Sequence, residues 1–92
     1  MKQKPALVWN NWNREHIKKH SVTVKDAEEA YRNEIGRSDS YEDRQSIYGI
    51  TKKGRPITIV VSYAKQQNPY VLTARAMSKK ERRDYLYENQ SN

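Results

Sequence analysis

The sequence predicts an α+β fold in which N-terminal helices pack on an antiparallel sheet of three to five strands, with a further helix at the C-terminal end. Three observations predict it: two helix-capping patterns early in the chain, three stretches rich in β-branched residues after them, and another capping pattern near the end. The 92 residues leave room for a single domain, 1–92, with one core.

The N-terminal part predicts a short strand followed by a helix. An apolar run at residues 6–9 is typical of an edge strand. Asn10 and Asn11 can cap the next helix, predicted at 12–19, because short polar side chains accept hydrogen bonds from free helix N–H groups. The spacing predicts that one side of this helix carries its apolar members, Trp12, His16 and Ile17.

A second amphipathic helix is predicted after Thr23. Thr23 and Asp26 have the spacing of a capping box, with Asp in the place of Glu. Gly36 is expected to end the helix. The periodicity predicts one buried stripe, which comprises Val24, Ala27, Ala30 and Tyr31.

The middle of the chain predicts an antiparallel meander. The short turns at 52–55 and 66–69 favour antiparallel pairing of neighbours, and 57–61 has the composition of a central strand. Residues 38–43 are polar and are compatible with a loop or a weak strand. The three predicted strands are 45–51, 56–64 and 70–77.

The last predicted element is a helix from Ser78 to about residue 88. Ser78 and Glu81 form a capping-box pattern, so the cap is the plainer interpretation of Glu81 than a catalytic acid. We expect all the helices to pack on one face of the sheet.

Charge is distributed unevenly along the chain. Eight basic and eight acidic residues precede Arg44, whereas ten basic and three acidic residues follow from that position on, so the second part carries the whole net charge of +7. Such a partition favours one surface that binds a polyanion, with solubility as the plainer alternative. The chain has no cysteine and begins without a long apolar run, so we expect a cytoplasmic protein without signal peptide or membrane segment.

Several enzyme classes lack support in the sequence. No glycine-rich phosphate loop is present. His16 and His20 have the spacing of two metal ligands on one helix face, but no third ligand is indicated, and packing of His16 beside Trp12 is the stronger interpretation. We therefore expect neither a metal site nor a cofactor.

The strongest chemical signal is Arg75, near the end of a strand and one turn before a basic helix. Strict alternation puts Arg75 on the face of Val71 and Thr73. A ribonuclease can work without metal when cationic groups stabilise the charge of the five-coordinate phosphate formed by 2′-OH attack. A tyrosine can move the proton, and Tyr63, Tyr85 and Tyr87 are candidates, with core packing as the alternative for the first two.

The candidate catalytic residues are thus Arg75, Arg82, Tyr85 and Tyr63. Arginine suits this role because its planar fork binds phosphate through two hydrogen bonds. A solvated helix face is the alternative for the basic residues of the last helix. The candidate RNA-binding residues are Arg55, Lys52, Lys53, Lys79, Lys80 and Arg83.

At both ends the chain resembles the BrnT-type toxins. Residues 9–22, which read WNNWNREHIKKHSV before an acidic helix, resemble their opening, and a strand with glycine, a Lys-Gly-Arg turn and a Val/Ile-rich strand follow in the same order. The chain departs from the pattern at Ser21, where the family usually has glycine. The resemblance covers about residues 7–88, and the ending is carried by 73–77 together with Glu81, Arg82, Arg83 and Tyr85.

The resemblance implies a RelE-like fold and the toxin of a type II toxin–antitoxin system, which cleaves RNA without metal and arrests translation. It implies a hetero-oligomer with a BrnA-like antitoxin that has a DNA-binding domain and represses its own operon; the ribosome is a further candidate partner. By position, Arg75 matches the strand arginine, and Arg82 and Tyr85 match the terminal motif. The alternative is a non-catalytic protein of the same fold that binds nucleic acid or the antitoxin.

Overall fold

The computed structural model describes residues 4–87 and confirms the α+β layout. Two helices precede a four-stranded antiparallel sheet, and a short helical segment follows it. The strands lie in the order β1-β2-β3-β4, so β2 and β3 are central, as predicted for 57–61. The elements are α1 (Asn11–Lys18), α2 (Val24–Arg32), β1 (Glu34–Asp39), β2 (Arg44–Ile50), β3 (Pro56–Ser62), β4 (Tyr70–Ala76) and α3 (Lys79–Glu81), which continues as a π-helix (Arg82–Tyr87).

All three helices begin at capping boxes. The side chains of Asn10, Thr23 and Ser78 each accept a hydrogen bond from the backbone N–H three residues later, and the side chain at that later position accepts one from the cap residue's N–H. The predicted helix starts are therefore confirmed. The predicted end near residue 88 lies outside the described residues.

The end of α2 corrects a prediction. The helix ends at Arg32, and Gly36 lies inside β1 rather than at the helix end. Pairing with β2 makes residues 34–39 a strand, whereas the sequence indicated only a loop or a weak strand at 38–43. Gly36 serves packing: a Cβ at this position would lie 2.9 Å from Cδ1 of Tyr85.

Residues 6–9 form less than the predicted edge strand. Val8 makes one isolated parallel bridge to Tyr70 at the edge of β4. The buried side-chain amide of Asn13 then takes over, since Nδ2 donates to the carbonyl oxygens of Val8 and Val71, each at 3.0 Å. Helix α1 thus closes the β4 edge with a side chain instead of a strand.

The buried side of α1 differs from the prediction. Asn13 and Ile17 are buried, whereas Trp12 is 58% exposed and its ring stacks on His16 at 4.7 Å between centroids. Trp12 and His16 therefore do not share the buried side with Ile17. The prediction failed because it assigned residues to the buried side by their hydrophobicity, whereas the structure buries the polar Asn13 and exposes the apolar Trp12.

The core lies between one face of the sheet and the helices α1 and α2. It is built from the predicted stripe of α2 and the β-branched residues of the strands, and α2 approaches β2 very closely. A Cβ on Gly49 would lie 1.8 Å from the carbonyl oxygen of Ala30, so only glycine fits there. The core includes Ile17, Ala27, Ala30, Ile47, Ile57, Ile59, Val61, Val71 and Ala74.

The C-terminal helical segment, residues 79–87, lies on the opposite face, so the expectation that all helices share one face was wrong. Side chains alternate along a strand, and Tyr48 points away from the face of Ile47 and Gly49. Tyr48 pairs with Thr58, which pairs with Arg75, so these residues form one row. The segment packs on this row through Tyr85.

A β-bulge decides the face of Arg75. Val61 pairs with Val71 and Val60 pairs with Thr73, which leaves Leu72 as an extra residue in β4. Val71 is consequently buried against the helices, while Thr73 and Arg75 share the other face. The prediction that Arg75 shares its face with Thr73 is confirmed, and the prediction that it shares it with Val71 is wrong because strict alternation ignores the bulge.

Within residues 4–87, no helix combines the length and apolar character needed to cross a membrane.

Candidate functional site

An arginine–glutamate pair lies near the end of the edge strand β4, on the sheet face that carries the C-terminal helical segment. Nη1 of Arg75 donates to Oε1 of Glu81 at 2.8 Å, and Nη2 donates to Oε2 at 3.0 Å. This is a bidentate ion pair, the geometry in which both partners are held most firmly. The strand and the capping box together create it, because β4 carries the arginine and the third residue after the Ser78 cap carries the carboxylate.

Glu81 has further partners around its carboxylate. The Ser78 N–H and the Thr58 hydroxyl each donate to its Oε1 at 2.9 Å. Burial alone raises the pKa of Glu81, but the hydrogen bonds from Arg75, Ser78 and Thr58 outweigh it and bring the pKa to about 2. Glu81 is therefore ionised at neutral pH. The hydrogen bond to Glu81 likewise raises the pKa of Arg75.

Arg75 keeps part of its donor set for a ligand. Besides Glu81, Nη1 donates to the Ala76 carbonyl oxygen at 3.2 Å. The Nε–H and the second Nη2–H have no hydrogen-bond partner among residues 4–87, and the side chain is 37% exposed. These two N–H groups form the side-on fork of the guanidinium, which matches two oxygens of a phosphate. Glu81 thus fixes the end of the guanidinium and leaves its side edge open.

Two tyrosines lie on the same face as this pair, over the strands β1 and β2. The rings of Tyr48 and Tyr85 stack at 4.0 Å between centroids, and the hydroxyl oxygens of Tyr48 and Ser38 are 2.9 Å apart. The structure therefore brings the predicted Tyr85 to the face of Arg75. Sequence reasoning missed Tyr48 and Thr58 as members of this site; their position in a row with Arg75 follows only from the strand register.

All four predicted RNA-binding lysines lie at the end of the sheet nearest to Arg75. Ile50 pairs with Pro56, and the N–H of Met77 donates to the Pro56 carbonyl oxygen at 3.1 Å. The β2–β3 turn and the start of α3 therefore emerge from the same end. The lysines at this end are exposed; they are Lys52, Lys53, Lys79 and Lys80.

The two arginines of the π-helix differ. Arg83 is exposed, and its Nε lies 3.6 Å from Oδ1 of Asp84. Arg82 is half-buried, and its buried Nε has no hydrogen-bond partner among the described residues. Both lie in the segment that carries Glu81.

Arg55 and Tyr63 do not join this cluster. Nη1 of Arg55 donates to the Ser21 carbonyl oxygen at 2.6 Å, and the same nitrogen lies 3.8 Å from Oδ2 of Asp26. Arg55 thereby holds the α1–α2 loop, where Ser21 has a left-handed φ of 58°, the conformation that glycine adopts at least cost. Tyr63 packs against the core on the helix side, on the opposite face from Arg75.

No protein-family model, no curated protein and no solved structure matches the chain. Among residues 4–87 there is also no group of three or more histidine, cysteine, aspartate or glutamate residues that could hold a metal ion. The chemistry of the site is therefore argued from the geometry of Arg75, Glu81 and their neighbours.

The stability of the fold at acid pH is expected to depend on the ionisation of the Glu81 carboxylate. Its pKa near 2 in the fold lies below the ordinary value of 4.5, so the ionised form stabilises the fold above pH 4.5. This contribution is lost as the pH falls from 4.5 towards 2. In Glu81→Gln we expect the unfolding free energy at pH 7 to fall by about 2 kcal/mol. This value is smaller than the full free energy of the pKa shift because solvent screens a partly exposed carboxylate.

Urea unfolding at a series of pH values measures this effect. The pKa of Glu34 is also lowered, chiefly by its hydrogen bond from Arg37, so the wild type retains a second acid-sensitive pair. The difference between the wild type and Glu81→Gln isolates Glu81, and it should shrink as the pH approaches 2. A difference that stays constant between pH 7 and pH 2 contradicts the prediction.

Proposed function

We propose that the chain is the toxin of a type II toxin–antitoxin system, a RelE-like endoribonuclease that cleaves RNA without metal and inhibits translation. The observation that carries the proposal is Arg75, which Glu81 holds in place while two of its N–H groups have no partner among residues 4–87. The resemblance of both ends of the chain to BrnT-type toxins supports the same activity.

In the proposed mechanism, Arg75 binds the phosphate at the cleavage position. The ribose 2′-OH attacks the adjacent phosphorus, the P–O5′ bond breaks, and the products are a 2′,3′-cyclic phosphate and a 5′-hydroxyl. Negative charge grows on the equatorial oxygens in the transition state. The hydrogen bonds from the Nε–H and Nη2–H of Arg75 therefore stabilise the transition state more than the ground state. The attacking 2′-OH loses a proton and the departing O5′ gains one, and Tyr85 is the candidate that relays it by giving its hydroxyl proton to O5′ and taking the proton of the 2′-OH.

Glu81 acts in this mechanism as a positioning residue. A carboxylate with a pKa of about 2 is a weak base at neutral pH, because an effective general base has a pKa near the operating pH. Its bidentate bond instead fixes the plane of the Arg75 guanidinium. Such fixation removes the cost of orienting a flexible side chain when charge develops.

The basic end of the sheet supports RNA as the substrate. The exposed Lys79 and Lys80 begin the segment that carries Glu81, so RNA whose phosphate lies at Arg75 can contact them. The exposed Lys52 and Lys53 extend from the same end of the sheet, in a turn where the Lys52 N–H donates to Glu29 of α2. Contacts of this kind release counterions and make the affinity depend steeply on salt. Arg55 binds the α1–α2 loop through its guanidinium, so among the predicted RNA-binding residues it has the least support from the structure.

The partners of the proposed toxin follow from the same resemblance. A BrnA-like antitoxin with a DNA-binding domain would cover the toxin in a hetero-oligomer and repress the operon, and the ribosome is the other candidate partner. We place this activity in the cytoplasm.

One observation favours a second candidate, a non-catalytic protein of the same fold that binds nucleic acid or its antitoxin and regulates an operon. Glu81 already compensates the charge of Arg75. A phosphate at Arg75 therefore meets a guanidinium beside a carboxylate, which weakens both binding and stabilisation of the transition state.

Cleavage of a labelled RNA by the purified protein in EDTA tests the proposal. We expect cleavage that EDTA does not inhibit, with 2′,3′-cyclic phosphate ends, and arrest of translation when the protein is added to a cell-free extract. RNA that binds in a salt-dependent way but stays intact, both free and on translating ribosomes, supports the second candidate and contradicts the first.

A further inference from the structure

A pocket lies at the far end of the sheet face that carries Arg75. Its volume is about 420 Å³, within the range of small-molecule sites. Ser62 and Tyr70 pair across β3 and β4 on this face, and Leu72, the extra residue of the bulge, lies beside them. The β3–β4 loop closes the other side with Lys65 and Gln66.

The floor of the pocket is apolar and aromatic. The Tyr70 hydroxyl donates to Oδ1 of Asn10 at 3.2 Å, which anchors the ring at its far end. The ring is half-exposed, and the Leu72 side chain lies in the same lining. A planar, weakly polar group can stack on such a surface, and the bases of single-stranded RNA bind aromatic rings in this way.

The rim of the pocket offers amides and one cation. Oδ1 of Asn10 accepts from the Asn13 N–H and from Tyr70, so its Nδ2 is left to donate to a ligand. The amide of Gln66 and the ammonium of Lys65 have no polar partner among residues 4–87, and no carboxylate lines the pocket within that range. Amides recognise base edges, and an ammonium binds a phosphate.

We propose that this pocket is a base-binding subsite, which takes an unpaired nucleobase of the RNA whose phosphate lies at Arg75. The base stacks on Tyr70, the amide of Gln66 contacts its edge, and Lys65 binds the neighbouring phosphate. Tyr70 and Arg75 are five residues apart on one strand, which is about 16 Å, so the subsite lies a few nucleotides from the cleavage position. The inference rests on the proposed function.

Binding of a short single-stranded RNA tests it. The probe carries a fluorophore and 2′-O-methyl groups, which prevent cleavage, and anisotropy gives Kd. Loss of one stacked base weakens binding by about 5- to 150-fold, which is the range expected for Tyr70→Leu. Tyr70→Phe keeps the ring and should bind within about twofold of the wild type. A duplex RNA should bind both variants equally, because a paired base cannot stack in the pocket.

Two variants in the exposed loop protect the test against misfolding. Gln66→Ala should reduce the difference in Kd between probes that vary at one base. Lys65→Gln should lower the slope of log affinity against log salt by about one, whereas the matched control Lys25→Gln, on the outer side of α2, should leave affinity for the pocket probe nearly unchanged.

The outcomes separate this inference from the proposed function. If the variants of Tyr70, Gln66 and Lys65 all bind single-stranded RNA like the wild type while Arg75→Ala binds more weakly, the subsite is wrong and RNA binding at Arg75 stands. If the wild type binds no RNA, both the subsite and the proposed function are wrong.

Discussion

Replacement of Arg75 by alanine is expected to lower the rate of RNA cleavage about 100- to 1,000-fold, the effect of removing one preorganised donor from a developing oxyanion. The variant loses both N–H groups of the open fork, and it also leaves Glu81 on the same face without its arginine. Without Arg75, the negative charge of the Glu81 carboxylate repels the negative charge that develops on the phosphate in the transition state. Single-turnover rates with excess protein measure the chemical step.

Two variants define which property of Arg75 matters. Arg75→Lys keeps the charge but not the planar fork, so we expect an intermediate rate. Arg14→Ala removes the same charge from an exposed position on α1 and should cleave RNA at nearly the wild-type rate. Equal losses in Arg14→Ala and Arg75→Ala would mean that net charge, not the geometry at Arg75, governs cleavage.

Substitution of Asn13 by leucine is expected to be the most destabilising change in the α1 layer. The variant leaves the Val71 carbonyl oxygen without the amide that binds it, and it removes half of a capping box with Asn10. The Val8 carbonyl oxygen also loses the amide but still accepts from the Val71 N–H at 3.4 Å. An unsatisfied buried group costs about 1–3 kcal/mol and a lost cap about 1 kcal/mol. We expect the unfolding free energy to fall by about 3 kcal/mol and Tm by about 15 °C.

Thermal and urea unfolding measure this loss, and Asn13→Asp separates its two parts. An aspartate keeps the oxygen that accepts from the Asn10 N–H but has no amide donor, and its charge faces two carbonyl oxygens. Its pKa should be raised, so this variant should gain stability relative to the wild type as the pH falls from 7 towards 4. A loss below about 1 kcal/mol in Asn13→Leu would show that the edge of β4 does not depend on Asn13.

Local signals predicted the elements of the fold well. Capping boxes depend on residues three apart, and β-branched strands separated by short turns pair with their neighbours, so neither needs knowledge of the tertiary structure. The errors lie where a distant residue decides the outcome. Gly36 resembles a helix end, yet it accommodates Tyr85, and Trp12 resembles a core residue although the buried member of its helix is Asn13.

The candidate site was predicted in part. Arg75 and Tyr85 were both candidates from the sequence, and they lie on one face, but the bidentate partner of Arg75 had been interpreted as a helix cap. Glu81 has both roles because the cap places its carboxylate over β4. No pattern in the sequence marks the bulge at Leu72, which sets the face of Arg75, and none separates Tyr63 from Arg75.

The bonds that Val8 and Asn13 make to residues 69–71 have a consequence for the order of folding. The Asn13 amide and the Val71 carbonyl are 58 positions apart in the chain, and α1 packs on β4, the last of the four described strands. Helix α1 has only eight residues, too few for stability in isolation. Helix α1 therefore remains unformed during synthesis until β4 has emerged, and α1 and the sheet then form in one late, cooperative step.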